Sequence, residues 1–279
     1  MKALQDFAAI AEPLVASWSS APSALEACAR LVRDFATSDI LAELIASELE
    51  AIAGVPTRTP SRSASHHLWV LWGASRGARL ALSRIPAGFR DDRDYLADAT
   101  SHRFLTPLDA DPLEVELYEQ CAAADEEVMS KNDALTPRGT RTLHRGDVLT
   151  LRPRRDIVHV PDQARARHLL SFDGPRLVTQ QWVYDFVTRT PVHSVAADPH
   201  DARLEGAMRL LHLLGHRDAT EVIARLASHE AHFVRWSAIR SVIGLDAEAG
   251  IRLLEDAATD PHPHVRMSAQ KALDRLRKS

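Results

Sequence analysis

Along the first 54 residues the apolar positions recur at helical spacing. Leu25, Cys28, Leu31 and Val32 fall on one face of a helix, as do Leu41, Leu44, Ile45 and Leu49. Ser38-Asp39 supplies a cap ahead of the second run. Residues 56–63, rich in Pro, Thr, Ser and Arg, break the pattern and read as a connector. Between positions 66 and 195 the period changes. Leu113, Val115 and Leu117 alternate with Glu114 and Glu116, the mark of a strand with one face buried. Further short strand-like runs lie at 148–151, 157–160, 167–172, 178–184 and 192–195. Gly139, Gly146-Asp147, Pro153, Pro161-Asp162 and Gly174-Pro175 punctuate them. Residues 72–77 read as a turn between strands. Many short strands with regular turns predict a sandwich or a barrel.

The last eighty residues repeat. Val234-Arg235 and Ala238 recur 31 positions later as Val265-Arg266 and Ala269, and Asp198-Pro199-His200 recurs two periods on as Asp260-Pro261-His262. The units start near 198, 229 and 260, each reading as helix, turn, helix, with the third cut short after its first helix. In the second unit Val234, Ala238 and Val242 make one apolar stripe on a helix over about 233–243, and Ile251, Leu253, Leu254 and Ala258 mark the next helix. A fixed period of this length is the signature of stacked supersecondary units. Asp260, Val265, Arg266 and Ala269 fit the pattern D-x-x-x-x-V-R-x-x-A, which resembles the HEAT family. That resemblance implies a partner-docking surface or a buttress for a neighbouring domain. His200, His229, His232, His262 and His264 sit at the unit starts. His229 and His232 have a spacing that suits a metal, but recurrence of the units and the polarity of turns account for the group without one.

A second resemblance concerns the strand-rich middle. Residues 146–159 carry a glycine turn at Gly146-Asp147, a strand, Pro153 and then His159. This is similar to the second cupin motif, with one extra residue between glycine and proline and Arg155 where the motif has its second glycine. Ser101-His102-Arg103-Phe104-Leu105, then Leu108 and Leu113, and later Tyr184-Asp185, resemble the thiol dioxygenases of that superfamily. The resemblance implies a ferrous iron held by three histidines. Here the family's His-x-His pair falls on Leu96 and Asp98, and only His159 is kept. Its cross-linked cysteine and tyrosine fall on Arg103 and Phe172, and the assisting histidine on Leu170. A rearranged set of His159, His102, His168 and Asp98 would still suit non-haem Fe(II). His168 shares a strand face with Leu170 and Phe172, so it points inward if they do. Arg103, Arg152 and Trp69 are the candidates for holding a bound molecule. The arginines at 152, 154 and 155 either grip an anion in bidentate fashion or form a solvated turn.

Composition narrows the function classes. Hydrophobic residues make up 45% of 279, charged residues 26%, and the net charge is −4, so no basic field for nucleic acid exists. Two cysteines, Cys28 and Cys121, form no CxxC knuckle or disulfide framework, which suits a reducing compartment. Glu12 and Asp6 interrupt the N-terminal apolar run, and no stretch is long enough to span a membrane. The sequence lacks a phosphate-binding loop, a dinucleotide fingerprint and a nucleophile elbow. The expectation is a cytoplasmic α+β protein: a helical segment over 1–55, a cupin-like antiparallel β-barrel over 56–196 and HEAT-like repeats over 197–279. Its function reads first as a barrel without the iron triad that binds a small molecule or a protein. A mononuclear non-haem iron oxygenase, and a purely structural or regulatory protein, are the alternatives.

Overall fold

The structure is a computed structural model that describes residues 2–17, 22–54, 63–65, 68–73, 77–88, 95–120 and 128–278. The chain forms two compact units, residues 1–122 with 131–193, and residues 123–130 with 194–279. Helices, antiparallel sheets and a helical C-terminal region give the α+β class expected from the sequence.

The first unit opens with α1 (Lys2–Ser17), α2 (Pro22–Thr37) and α3 (Ile40–Gly54). On α2 the spacing of Ala24, Cys28, Val32 and Phe35 makes a single buried stripe. The Asp39 carbonyl accepts the Glu43 N–H at 2.9 Å, which places Asp39 at the start of α3 as the sequence suggests. Leu41 is buried on this helix, whereas Leu49 is 60% exposed and lies off the core face.

Twelve strands follow among the described residues: β1 (Ser63–Ser65), β2 (Leu68–Gly73), β3 (Arg79–Ile85), β4 (Tyr95–Ala97), β5 (Arg103–Pro107), β6 (Leu113–Glu119), β7 (Thr136–Leu143), β8 (Leu149–Leu151), β9 (Asp156–His159), β10 (Arg167–Asp173), β11 (Gln180–Asp185) and β12 (Pro191–Ala196). They form one six-stranded sheet in the order β1-β2-β3-β10-β5-β8 and two three-stranded sheets, β12-β11-β4 and β7-β6-β9. The β10 strand lies between β3 and β5, antiparallel to both, and both of its faces are buried. Phe172 on β10 stacks on Phe104 of β5 and meets Phe7 of α1 edge-on at 5.8 Å, so the helices share the core of the large sheet. The runs read from the hydrophobic pattern match β6 and β8 to β12, whereas β1 to β5 and β7 are not among them, and β7 shows why most clearly. Seven of its eight positions are exposed, and its place is set by backbone pairing to β6.

The second unit contains α4 (Pro199–Leu213), α5 (Thr220–Arg225), α6 (His232–Leu245), α7 (Ala247–Ala257) and α8 (Pro263–Leu276). The first helices of the three repeats are α4, α6 and α8, as the 31-residue register requires. The register also repeats the turn chemistry. Asp198 and Asp260 each accept the backbone N–H two residues on at 2.8 Å, and His229, the equivalent position, does the same through Nδ1 at 3.1 Å. Arg235 donates to the carbonyls of His229 and Glu230, and Arg266 donates to those of Asp260 and Pro261. The valine and alanine of the pattern, Val234, Ala238, Val265 and Ala269, are fully buried.

Helix packing in this unit depends on Gly250 of α7. A Cβ there would lie 2.5 Å from the Cα of Ile243 on α6, against backbone that cannot move aside. Gly250→Ala is therefore expected to cost about 1–3 kcal/mol through overpacking. Gly206 on α4 has nothing within 4 Å of its would-be Cβ, so Gly206→Ala should be neutral or stabilising by roughly 0.5–1 kcal/mol. Urea midpoints of the two variants check this pair, and equal shifts would refute it.

Candidate functional site

The sheet unit holds the residues that the sequence singles out for a metal. Asp98 follows β4 and is 1% exposed. One carboxylate oxygen accepts from Arg154 Nη1 at 2.9 Å and the other accepts the Trp182 N–H at 2.8 Å. The Arg154 guanidinium lies over the Trp182 ring, 4.3 Å from its centroid. Burial raises the Asp98 pKa to about 6 in spite of Arg154 and the Trp182 N–H. Beside them, Tyr184 is buried, and its hydroxyl has no hydrogen-bond partner among the described residues. Burial, then the charge of Asp98, pushes the Tyr184 pKa up.

The other three candidates lie in separate surroundings. The His168 ring bonds Asp109 Oδ1 at 3.0 Å, and its side chain is 42% exposed. Leu170 and Phe172 are fully buried, so His168, at the start of the strand, does not follow them inward. His159 lies opposite Glu116 on β6, with its ring 4.8 Å from that of Phe186. The carbonyl of His102 accepts from Gly174, and burial followed by the charge of Arg152 lowers the His102 pKa. No three of Asp98, His102, His159 and His168 bring ligand atoms within 4.8 Å of one another. Asp98 is engaged by Arg154 and Trp182, and His168 by Asp109.

The arginines proposed for ligand binding are likewise engaged within the chain. Arg103 lies opposite Asp173 across the β5–β10 ladder, and Arg79 opposite the same residue across β3–β10. Both donate to its carboxylate, and together they outweigh burial and hold the Asp173 pKa below the usual carboxylate range. Arg152 forks onto Asp156 at 2.7 and 2.8 Å, and Arg155 binds Glu119 at 2.7 Å. The left-handed residue of the turn between β8 and β9 is Arg154, with φ 56°. Trp69 lies on β2 opposite Leu82, and its side chain is outside the described residues.

The helical unit brings together a group that sequence reasoning set aside. His232 opens α6, His262 caps α8 and His264 lies in the first turn of α8. Their potential ligand atoms all lie within 4.8 Å of one another. The repeat explains His262, the equivalent of His200, but not the others. In the 31-residue register His264 stands opposite Phe233, and His232 opposite Pro263. That mismatch was the available sequence signal. Nearby, a cleft of about 640 Å³ is lined by His229, Arg235, Ile239, Leu253 and Asp260, among others.

Comparison with known proteins identifies the helical region. The family model for HEAT repeats matches residues 191–274. Over those residues the C-terminal region is similar to HEAT repeats. No curated protein matches the chain. Among solved structures, a hydroquinone 1,2-dioxygenase in complex with Cd²⁺ and 4-hydroxybenzonitrile is 16% identical, over 36% of this chain and 60% of its own, with a TM-score of 0.27. The DMSP lyase DddQ from Ruegeria pomeroyi is 16% identical over 41% of this chain and 49% of its own, at 0.26. A Klebsiella pneumoniae protein with a double-stranded β-helix domain is 12% identical over 42% and 84%, at 0.25. The chain thus covers only 60% and 49% of the first two. Among the described residues no helix is long and apolar enough to cross a membrane.

Proposed function

We propose that this is a binding protein rather than an oxygenase: a cupin-like sheet unit that holds a small molecule or a protein segment, joined to a HEAT-repeat unit that docks a protein partner. The observation that supports the first half is the dispersal of the four candidate iron ligands. Asp98 is committed to Arg154 and Trp182, and His168 to Asp109. A non-haem iron centre needs several nitrogen and oxygen donors converging with positions left open for substrate and dioxygen. The second half rests on the HEAT match over 191–274 and on apolar side chains that the array leaves in solvent, Leu213 at 70% and Leu214 at 69% exposure. The polar interior around Asp98, Arg154 and Tyr184 favours a ligand with hydrogen-bonding groups, since a buried hydroxyl without a partner costs about 1–3 kcal/mol.

The test is iron content after anaerobic incubation with ferrous iron and gel filtration, measured in the His264→Ala background so that the helical histidines do not contribute. The expected result is no stoichiometric iron, with His159→Ala and His102→Ala no different. One iron per chain, lost in either variant, would overturn this reading in favour of the oxygenase.

A further inference from the structure

We propose that His232, His262 and His264 bind a divalent transition ion of the zinc type, with the fourth coordination position open to water. The site would join the first helices of the second and third HEAT units. Three imidazoles with an open position is a recognised zinc donor set, and imidazole also suits cobalt and copper.

Several independent features support the site. The three rings come from two helix starts, and the potential donor atoms already lie within 4.8 Å. Around a tetrahedral ion with zinc–nitrogen bonds of ~2.0–2.1 Å the donors stand roughly 3.4 Å apart, so the remaining closure is small. His232 and His262 are 7% and 8% exposed, while His264 is on the surface. This gives a partly desolvated floor and a side open to the solvent.

The charged neighbours are arranged compatibly. Arg235 lies on α6 three residues after His232, and its guanidinium is neutralised by a two-pronged contact with Asp260 at 2.7 and 2.8 Å. The Asp260 carboxylate also accepts the backbone N–H of His262. It therefore fixes the backbone of one ligand and places negative charge beside the site. The Phe233 ring meets His232 edge-on at 5.7 Å and helps exclude water from that side.

One rearrangement is required. His232 and His262 stack face to face, 3.5 Å apart and 5° from parallel. Imidazole lone pairs lie in the ring plane, so two parallel rings cannot both direct a lone pair at one ion. Binding must therefore turn one ring about its χ2 bond, exchanging the stack for coordination. His264, 5.6 Å from His262 and steeply inclined to it, completes the set from the solvent side.

The test uses the untagged full chain, stripped with chelator and dialysed. Zn²⁺ is titrated by calorimetry and Co²⁺ by visible absorption. The expected results are one ion per chain, cobalt bands of a four-coordinate site, and a higher melting temperature with Zn²⁺. His264→Ala, a surface change that leaves the fold intact, should weaken binding by at least ~10–100-fold and abolish the melting shift. His216→Ala, at an exposed histidine outside the group, should change neither. Absence of Zn²⁺ binding, a six-coordinate cobalt spectrum, or equal affinity in His264→Ala would each overturn the proposal.

Discussion

Asp98→Ala is expected to destabilise the sheet unit by about 3–5 kcal/mol, because it leaves the Arg154 guanidinium buried without its counter-charge. The two side chains are 0% and 6% exposed, and the same aspartate holds the Trp182 N–H. A second variant separates the pair from its surroundings. Asp98→Ala with Arg154→Met removes both charges and keeps apolar bulk over Trp182, so it should recover much of the loss. Denaturant unfolding of the single and double variants measures the coupling, and additive losses would contradict it. The pair also has a pH signature. With a folded pKa near 6 against 3.8 for the free side chain, Asp98 binds a proton in the folded state that it lacks in the unfolded state between those values. Its contribution to stability is then fully present below pH 3.8, falls as pH rises through 6, and is level above that. The double variant should lose this slope.

Asp260→Ala is expected to have a comparable effect on the HEAT unit, again about 3–5 kcal/mol. Arg235 and Asp260 are 11% and 8% exposed, and their paired hydrogen bonds tie the second repeat to the turn of the third. Removing the carboxylate strands a largely buried guanidinium and leaves the His262 N–H ahead of α8 without its acceptor. Arg252→Ala removes a pair with Glu248 whose partners are 61% and 86% exposed, and should change stability by less than about 1 kcal/mol. Thermal melts of the two variants provide the comparison, and similar losses would refute the distinction.

The helical repeat was legible in the sequence because a repeat places the same demand on the same position each time. Val234 and Val265 are buried, Arg235 and Arg266 reach back to their own turns, and Asp198 and Asp260 each accept the N–H two residues on. The strands were legible where one face is buried, as in β6, but not in β7, whose residues are almost all in solvent. The candidate site was less legible. Asp98 and Arg154 are 56 positions apart, and nothing local in either segment announces their ion pair. The alignment made Asp98 a stand-in ligand, whereas its burial beside an arginine gives it a structural partner. Among the C-terminal histidines, a shared unit start accounts for His200 and His262. It hides His232 and His264, which come together only because consecutive first helices lie side by side.

Asp173 and the strand that carries it also bear on the order in which the protein assembles. Its partners Arg79 and Arg103 lie 94 and 70 positions earlier, and among the described residues β3 and β5 are joined through β10. A chain emerging from the ribosome therefore carries two strands with open edges until residues 167–173 arrive to bridge them. Such long closures slow folding and prolong the exposure of strand edges. The HEAT repeats, built from neighbours in sequence, carry no such delay. Synthesis thus delivers the slow unit first and the fast unit last, and aggregation during expression should track the lifetime of those two unbridged edges.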